Sequence, residues 1–99
     1  MFSHIVIFWA DPAKPTAADE IVAGADKYLR PIPLVRFFHC GRMATSARKD
    51  VVDQSYSVAL NLAFDTKADQ DAYQVHPLHL EFVEKCKANW ARVVVYDFQ

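Results

Sequence analysis

The chain has 99 residues, 53% apolar and 23% charged, with a formal net charge of −1. That length gives one domain with an adequate core, and the apolar share sits above the roughly 45–50% of globular chains. The charge balance excludes the basic stripe that nucleic-acid binders carry, and the composition excludes a disordered tail or a coiled coil.

In chain order, residues 2–9 form an apolar run rich in Ile, Val and aromatics, read as a buried strand. The run is short and its first cation is Lys14, so it is not read as a signal peptide. No segment approaches the ~20 apolar residues of a membrane span. Asp11-Pro12-Ala13-Lys14-Pro15 breaks the strand. Thr16 then predicts an N-cap, with Asp19 three residues on as a capping-box variant. Ala18, Ile21, Val22, Ala25 and Leu29 follow at helical spacing, which predicts a helix over 17–29 that Pro31 and Pro33 end.

Residues 34–43 predict a second strand, and 44–54 a polar loop. The densest basic stretch, Arg42 to Lys49, is read as a solvated surface. Residues 55–64 alternate cleanly: Tyr56, Val58, Leu60, Leu62 and Phe64 on one face, Ser57, Ala59, Asn61 and Ala63 on the other. Asp65 or Thr66 caps a helix to about Val75, Pro77 interrupts it, and a further helical stretch runs from about Leu78 to Asn89. Its stripe is His79, Phe82, Val83, Cys86 and Trp90. Residues 91–98 predict a closing strand.

This order predicts one α+β domain over 1–99, a ferredoxin-like four-stranded antiparallel sheet with helices on one face. The first strand does not alternate apolar with polar: Phe2, His4, Val6 and Phe8 share one side, Ile5, Ile7 and Trp9 the other. The last strand divides Val93 and Val95 from Val94, Tyr96 and Phe98. An open sheet face of that composition exceeds what monomers expose. We therefore expect a homodimer through the face with Ile5, Ile7 and Trp9, leaving the face with His4, Val6 and Phe8 to meet the helices and any pocket.

Cys40 and Cys86 form neither a disulfide framework nor a metal spacing, and are read as reduced thiols of a cytoplasmic protein. Among the four histidines, His79 falls in the first turn after Pro77. The helix N-terminus and burial beside Phe82 and Val83 both favour its neutral form, the state a general base needs. Tyr73 lies before the break, where its phenol can donate to a carbonyl or enolate oxygen. The same residues also read as a packed core histidine and a helix-flank aromatic. His76 and His79 are spaced i, i+3, but two ligands are too few for a metal site, so no metal is predicted. His4, inside the first strand, requires a hydrogen-bond partner or a ligand. His39 and Cys40 point to opposite faces and make no pair.

The His4-Ile-Val-Ile-Phe8 run, the Ala72-Tyr73…His76-Pro77-Leu78-His79…Phe82-Val83 segment and the Val93-Val-Val-Tyr-Asp-Phe98 strand together resemble the stress-responsive dimeric α/β-barrel (Dabb) family over essentially the whole chain. The resemblance implies a dimeric ferredoxin-like barrel. The family includes olivetolic acid cyclase, in which a Tyr and a His act together in an aldol condensation of a polyketide thioester. Tyr73 and His79 match that pair, and His4 matches a further N-terminal His. Val58 stands where the cyclase has another pocket histidine, a departure that bears on substrate. Some plant members resemble metal-binding proteins that use backbone carbonyls after the first helix, near Leu29 to Val35 here.

Three functions follow as expectations. The first is a cofactor-free lyase or cyclase for a small apolar carbonyl compound. His79 is its base, Tyr73 its oxyanion donor and His4 its orienting residue, with Val6, Phe8, Val58 and Leu60 lining the pocket. The second is a non-catalytic domain that binds a small apolar ligand or simply dimerises. The third is a cofactor-independent monooxygenase of the related barrel type. No cofactor, nucleic-acid partner or membrane contact is expected in any of them.

Overall fold

The computed structural model describes residues 1–99. Strand β1 (Phe2–Ala10) is followed by helix α1 (Ala17–Gly24), strands β2 (Phe37–Arg42) and β3 (Val58–Phe64), helices α2 (Lys67–Gln74) and α3 (Pro77–Cys86), and strand β4 (Trp90–Phe98). The sheet order is β2-β3-β1-β4, and every neighbouring pair is antiparallel. This is the predicted α+β, ferredoxin-like arrangement. No helix is long and apolar enough to cross a membrane.

Register explains the core. Val6 lies opposite Leu60 on β3 and Val95 on β4, while Phe8 lies opposite Val58 and Val93. Side chains alternate with a period of two, so these residues share the helix-facing side. Helices α1, α2 and α3 press Ile21, Tyr73 and Phe82 onto that side. Leu29 and Ile32 complete the buried cluster.

The predicted first helix is two pieces. Beyond Gly24 the chain widens into a π-helical turn, Ala25–Leu29, closed by the Arg30 amide donating to the Ala25 carbonyl at 3.2 Å. Thr16 does not cap α1 with its side chain. Its backbone (φ −91°, ψ 0°) is turned rather than extended, and its hydroxyl donates instead to Glu20 Oε2 at 2.7 Å. The second strand starts at Phe37 rather than Leu34. Ile32, buried between Pro31 and Pro33, draws the chain through successive turns in which Leu29 and Ile32 carbonyls accept from the Ile32 and Val35 amides. The third strand starts at Val58 because Ser57 is used differently: its hydroxyl accepts from the Ala10 amide at 2.9 Å, beside a β-bulge at Trp9/Ala10. Thr66 caps α2 as expected, accepting from the Asp69 amide at 3.1 Å.

Gly24 marks the closest approach of α1 and α3. A Cβ there collides with Cys86 Sγ and touches the Phe82 ring. Gly→Ala inside a helix ordinarily gains about 0.5–1 kcal/mol. Here overpacking costs about 1–3 kcal/mol, so Gly24→Ala lowers the melting temperature. Adding Cys86→Ala restores part of it, and a melt in which Gly24→Ala is stabilising refutes the close contact.

Candidate active site

Two neighbouring devices bring the polar groups together. Helix α2 ends at Gln74 and α3 begins at Pro77, with no room between them for a long loop. His76 fills the gap as the N-cap of α3: its backbone is extended (φ −63°, ψ 139°) and its Nδ1 accepts from the Leu78 amide at 3.1 Å. Pro77 at the first helical position needs no donor partner. The turn leaves Tyr73 at the end of α2 and His79 at the start of α3, with ring centroids 4.8 Å apart and planes at 60°.

His4 reaches the same place from β1. Its ring lies 5.9 Å from Tyr73 and 6.5 Å from Phe64, edge to face in both cases. It is only 5% exposed, and its Nδ1 lies 2.5 Å from Asp97 Oδ1 on β4. That carboxylate is the acceptor for the Nδ1 proton. Asp97 is a site residue that the sequence reading missed. Only the β1–β4 register, which places His4 opposite Asp97, reveals it.

These groups border a cavity of about 190 Å³ between the sheet and α3. Its walls are mainly apolar and include Val6, Phe8 and Leu60. Phe8, Phe82 and Trp90 form an aromatic cluster at the wall, with centroids 5.0–6.4 Å apart. Val93 and Val95, 43% and 48% exposed on β4, mark the mouth. Val58 does not line the cavity, which corrects the predicted pocket. It is fully buried in the core opposite Phe8, whose larger ring provides the wall at that level.

Burial pushes the Tyr73 hydroxyl above the usual phenol range, so it remains a donor at neutral pH. Burial lowers His79, the nearby His4 lowers it further, and the Gln74 carbonyl works the other way. His79 Nδ1 is buried without a hydrogen-bond partner in the protein. Such a nitrogen costs about 1–3 kcal/mol unless something bonds to it.

The side chains that could ligate a metal do not converge. His76 spends Nδ1 on its cap, and no group of three or more His, Cys, Asp or Glu is placed to hold an ion. Along Leu29 to Val35, the carbonyls of Leu29, Ile32 and Pro33 already accept from Ile32, Val35 and Arg36.

The family model of the stress-responsive A/B barrel domain, Dabb, matches residues 2–99. The chain belongs to that family. A stress-response A/B barrel domain-containing protein of Arabidopsis thaliana is 30% identical over 97 residues, covering 98% of this chain and 84% of that one. Among solved structures, a hydroxynitrile lyase from Passiflora edulis superposes with a TM-score of 0.80 at 21% identity, covering 98% of this chain and 90% of that one. A Dabb family protein with a ferredoxin-like fold from Mesorhizobium loti gives 0.77 at 22% identity, covering 99% and 94%. A dimeric ferredoxin-like protein from Thermobifida fusca gives 0.77 at 20% identity, covering 98% and 88%. At these identities the structural likenesses establish the fold of this Dabb domain and nothing finer.

Two measurements check the site. Because the folded state lowers the His79 pKa, the unfolded chain binds the extra proton first, near pH 6.5. The contribution of neutral His79 is therefore complete above that pH and is lost as pH falls through it. From pH 7.5 to 5.5 the wild type loses more thermal stability than His79→Gln, and equal losses contradict the burial assigned to the ring. Asp97→Ala strips a buried ring of its acceptor, with an expected cost of about 1–3 kcal/mol. It also abolishes the far-downfield Nδ1 proton resonance of His4 in the NMR spectrum.

Proposed function

We propose that this Dabb domain is a cofactor-free carbon–carbon lyase or cyclase acting on a small, mostly apolar carbonyl compound. The observation that carries this reading is the buried, unpartnered His79 Nδ1 beside the Tyr73 ring in an apolar cavity. A neutral imidazole removes a proton from the carbon next to the substrate carbonyl. The electron pair moves onto the carbonyl oxygen, and Tyr73 donates a hydrogen bond to the enolate so formed. The enolate carbon then attacks a second carbonyl, whose oxygen receives the proton from His79. Run backwards, the same steps break the bond. His4, held by Asp97, orients or polarises one of the two carbonyls. Val6, Phe8 and Leu60 exclude water and hold the apolar part of the substrate. The hydroxynitrile lyase of the same fold supports lyase chemistry in this architecture.

We also propose that the domain works as a homodimer in the cytoplasm. Structural relatives are described as dimeric, and two thiols, Cys40 and Cys86, are free. The face with Ile5, Ile7 and Trp9 is the proposed contact. It carries Tyr96 and Phe98, each about 60% exposed.

The test is turnover and calorimetric binding against β-polyketide thioesters, aromatic cyanohydrins and aryl ketones. A substrate found this way loses about 10²–10⁴-fold in kcat with His79→Ala. Tyr73→Phe costs about 10²–10³-fold, as for loss of one oxyanion donor. Binding without turnover moves the domain to the ligand-carrier reading. A folded wild type inert in both assays removes the enzyme reading.

A further inference from the structure

The reaction proposed above uses His4, Tyr73 and His79, but a further polar residue, Gln74, lines the same cavity. It is the last residue of α2, and its surroundings fix where it stands. Tyr73 precedes it, and its own backbone carbonyl acts on the His79 ring. Its side chain is held as well. Gln70 lies one turn earlier on α2, and residues spaced i, i+4 share a helix face. Gln70 is only 5% exposed, and its Nε2 donates to Gln74 Oε1 at 2.7 Å. A buried amide costs stability unless it is bonded. A Leu or Met at position 70 fills similar space without that requirement. Helix α2 thus keeps a buried amide whose bonded partner is the one side chain of the cavity rim that the chemistry leaves unused.

The brace decides what Gln74 can offer. A carboxamide has an oxygen that accepts and a nitrogen with two N–H donors. Gln70 engages the oxygen, while Nε2 bonds to no protein acceptor. The group left to the cavity is therefore a pair of N–H donors. We infer that Gln74 is a ligand-binding residue of this site, donating from Nε2 to a second oxygen of the substrate, and that Gln70 is the positioning residue that holds it. This rests on the carbonyl reading of the cavity and adds a demand on the substrate. Besides the carbonyl served by Tyr73, the substrate carries a second acceptor oxygen on the solvent side, where Gln74 is exposed. In the proposed condensation, the carbonyl that the enolate attacks gains negative charge on its oxygen. An N–H donor already in place there stabilises that charge without giving up a proton. The apolar walls at Val6, Phe8 and Leu60 offer no donor, so a second oxygen lodged against them is left unpaired.

Two ketones with the same carbon skeleton test this: benzoylacetone, and butyrophenone, which lacks the second oxygen. In keto or enol form, benzoylacetone keeps an acceptor lone pair at that oxygen. Dissociation constants are measured by titration calorimetry for the wild type, Gln74→Leu, Gln70→Met and the double variant, with far-ultraviolet circular dichroism confirming the fold. The readout is the ratio of the two constants, because a merely structural role weakens both ketones alike. The wild type favours benzoylacetone by about 3–10-fold. Gln74→Leu, at an exposed position, brings the ratio close to unity. Gln70→Met keeps the buried volume but releases the Gln74 amide, and lowers the preference by about threefold. In the double variant it adds nothing to Gln74→Leu, because it acts through Gln74. A preference that survives Gln74→Leu, or a wild type that binds both ketones equally, overturns the role of Gln74 and leaves the cavity as a ketone site. A preference unchanged by Gln70→Met overturns the positioning role of Gln70. A wild type that binds neither ketone overturns the carbonyl reading of the cavity as well.

Discussion

Strand β1 is hydrogen-bonded on both sides, to β3 and to β4, and its two-residue period divides its side chains between two apolar surroundings. A slip of one residue moves every member of one set onto the other face. It sends His4 away from Tyr73 and Asp97, and puts Ile5 and Ile7 where the helices press. The cavity floor, the His4–Asp97 pair and the outer face all depend on that one parity. Pairing on both edges makes it hard to change, because a slip disturbs two ladders at once.

The polar cluster persists in an apolar setting because the packing around it is worth more than the groups cost. A fully buried Tyr or Phe removes about 150–250 Å² from water. At about 25 cal/mol per Å² that is several kcal/mol for each ring. Tyr73, Phe64 and Phe82 are all nearly or fully buried in the same cluster. An unpartnered ring nitrogen at His79 costs about 1–3 kcal/mol, which this packing offsets. His4 avoids the cost altogether through Asp97. One histidine is thus held by a carboxylate and the other is left free.

The order of elements was legible because hydrophobic periodicity and prolines mark it locally. Thr66 as a cap and Pro77 as the start of a helix both hold in the structure. The errors share a cause. Thr16 has a capping residue's chemistry but a turned backbone, and that backbone is set by the proline-bounded turn before it. Leu34 and Val35 have strand composition, yet Ile32 is pulled into the core and bends the chain. Val58 shares the face of Leu60 but sits under Phe8, so facing the helices was not enough to reach the cavity. His76 was weighed only as half of a metal pair and is instead the N-cap of α3.

By itself, the sequence determined which residues stand together on each face of each element, since that follows from periods of two and 3.6 residues along the chain. It brought Tyr73 and His79 together, because only five residues, one of them Pro77, lie between them. Only the tertiary structure decided that Asp97 meets His4 across 93 residues and that Val93 and Val95 form the mouth. Those facts depend on which strand lies beside which and in what register. Strand order and register are set by the packing of the whole chain, so no local pattern records them.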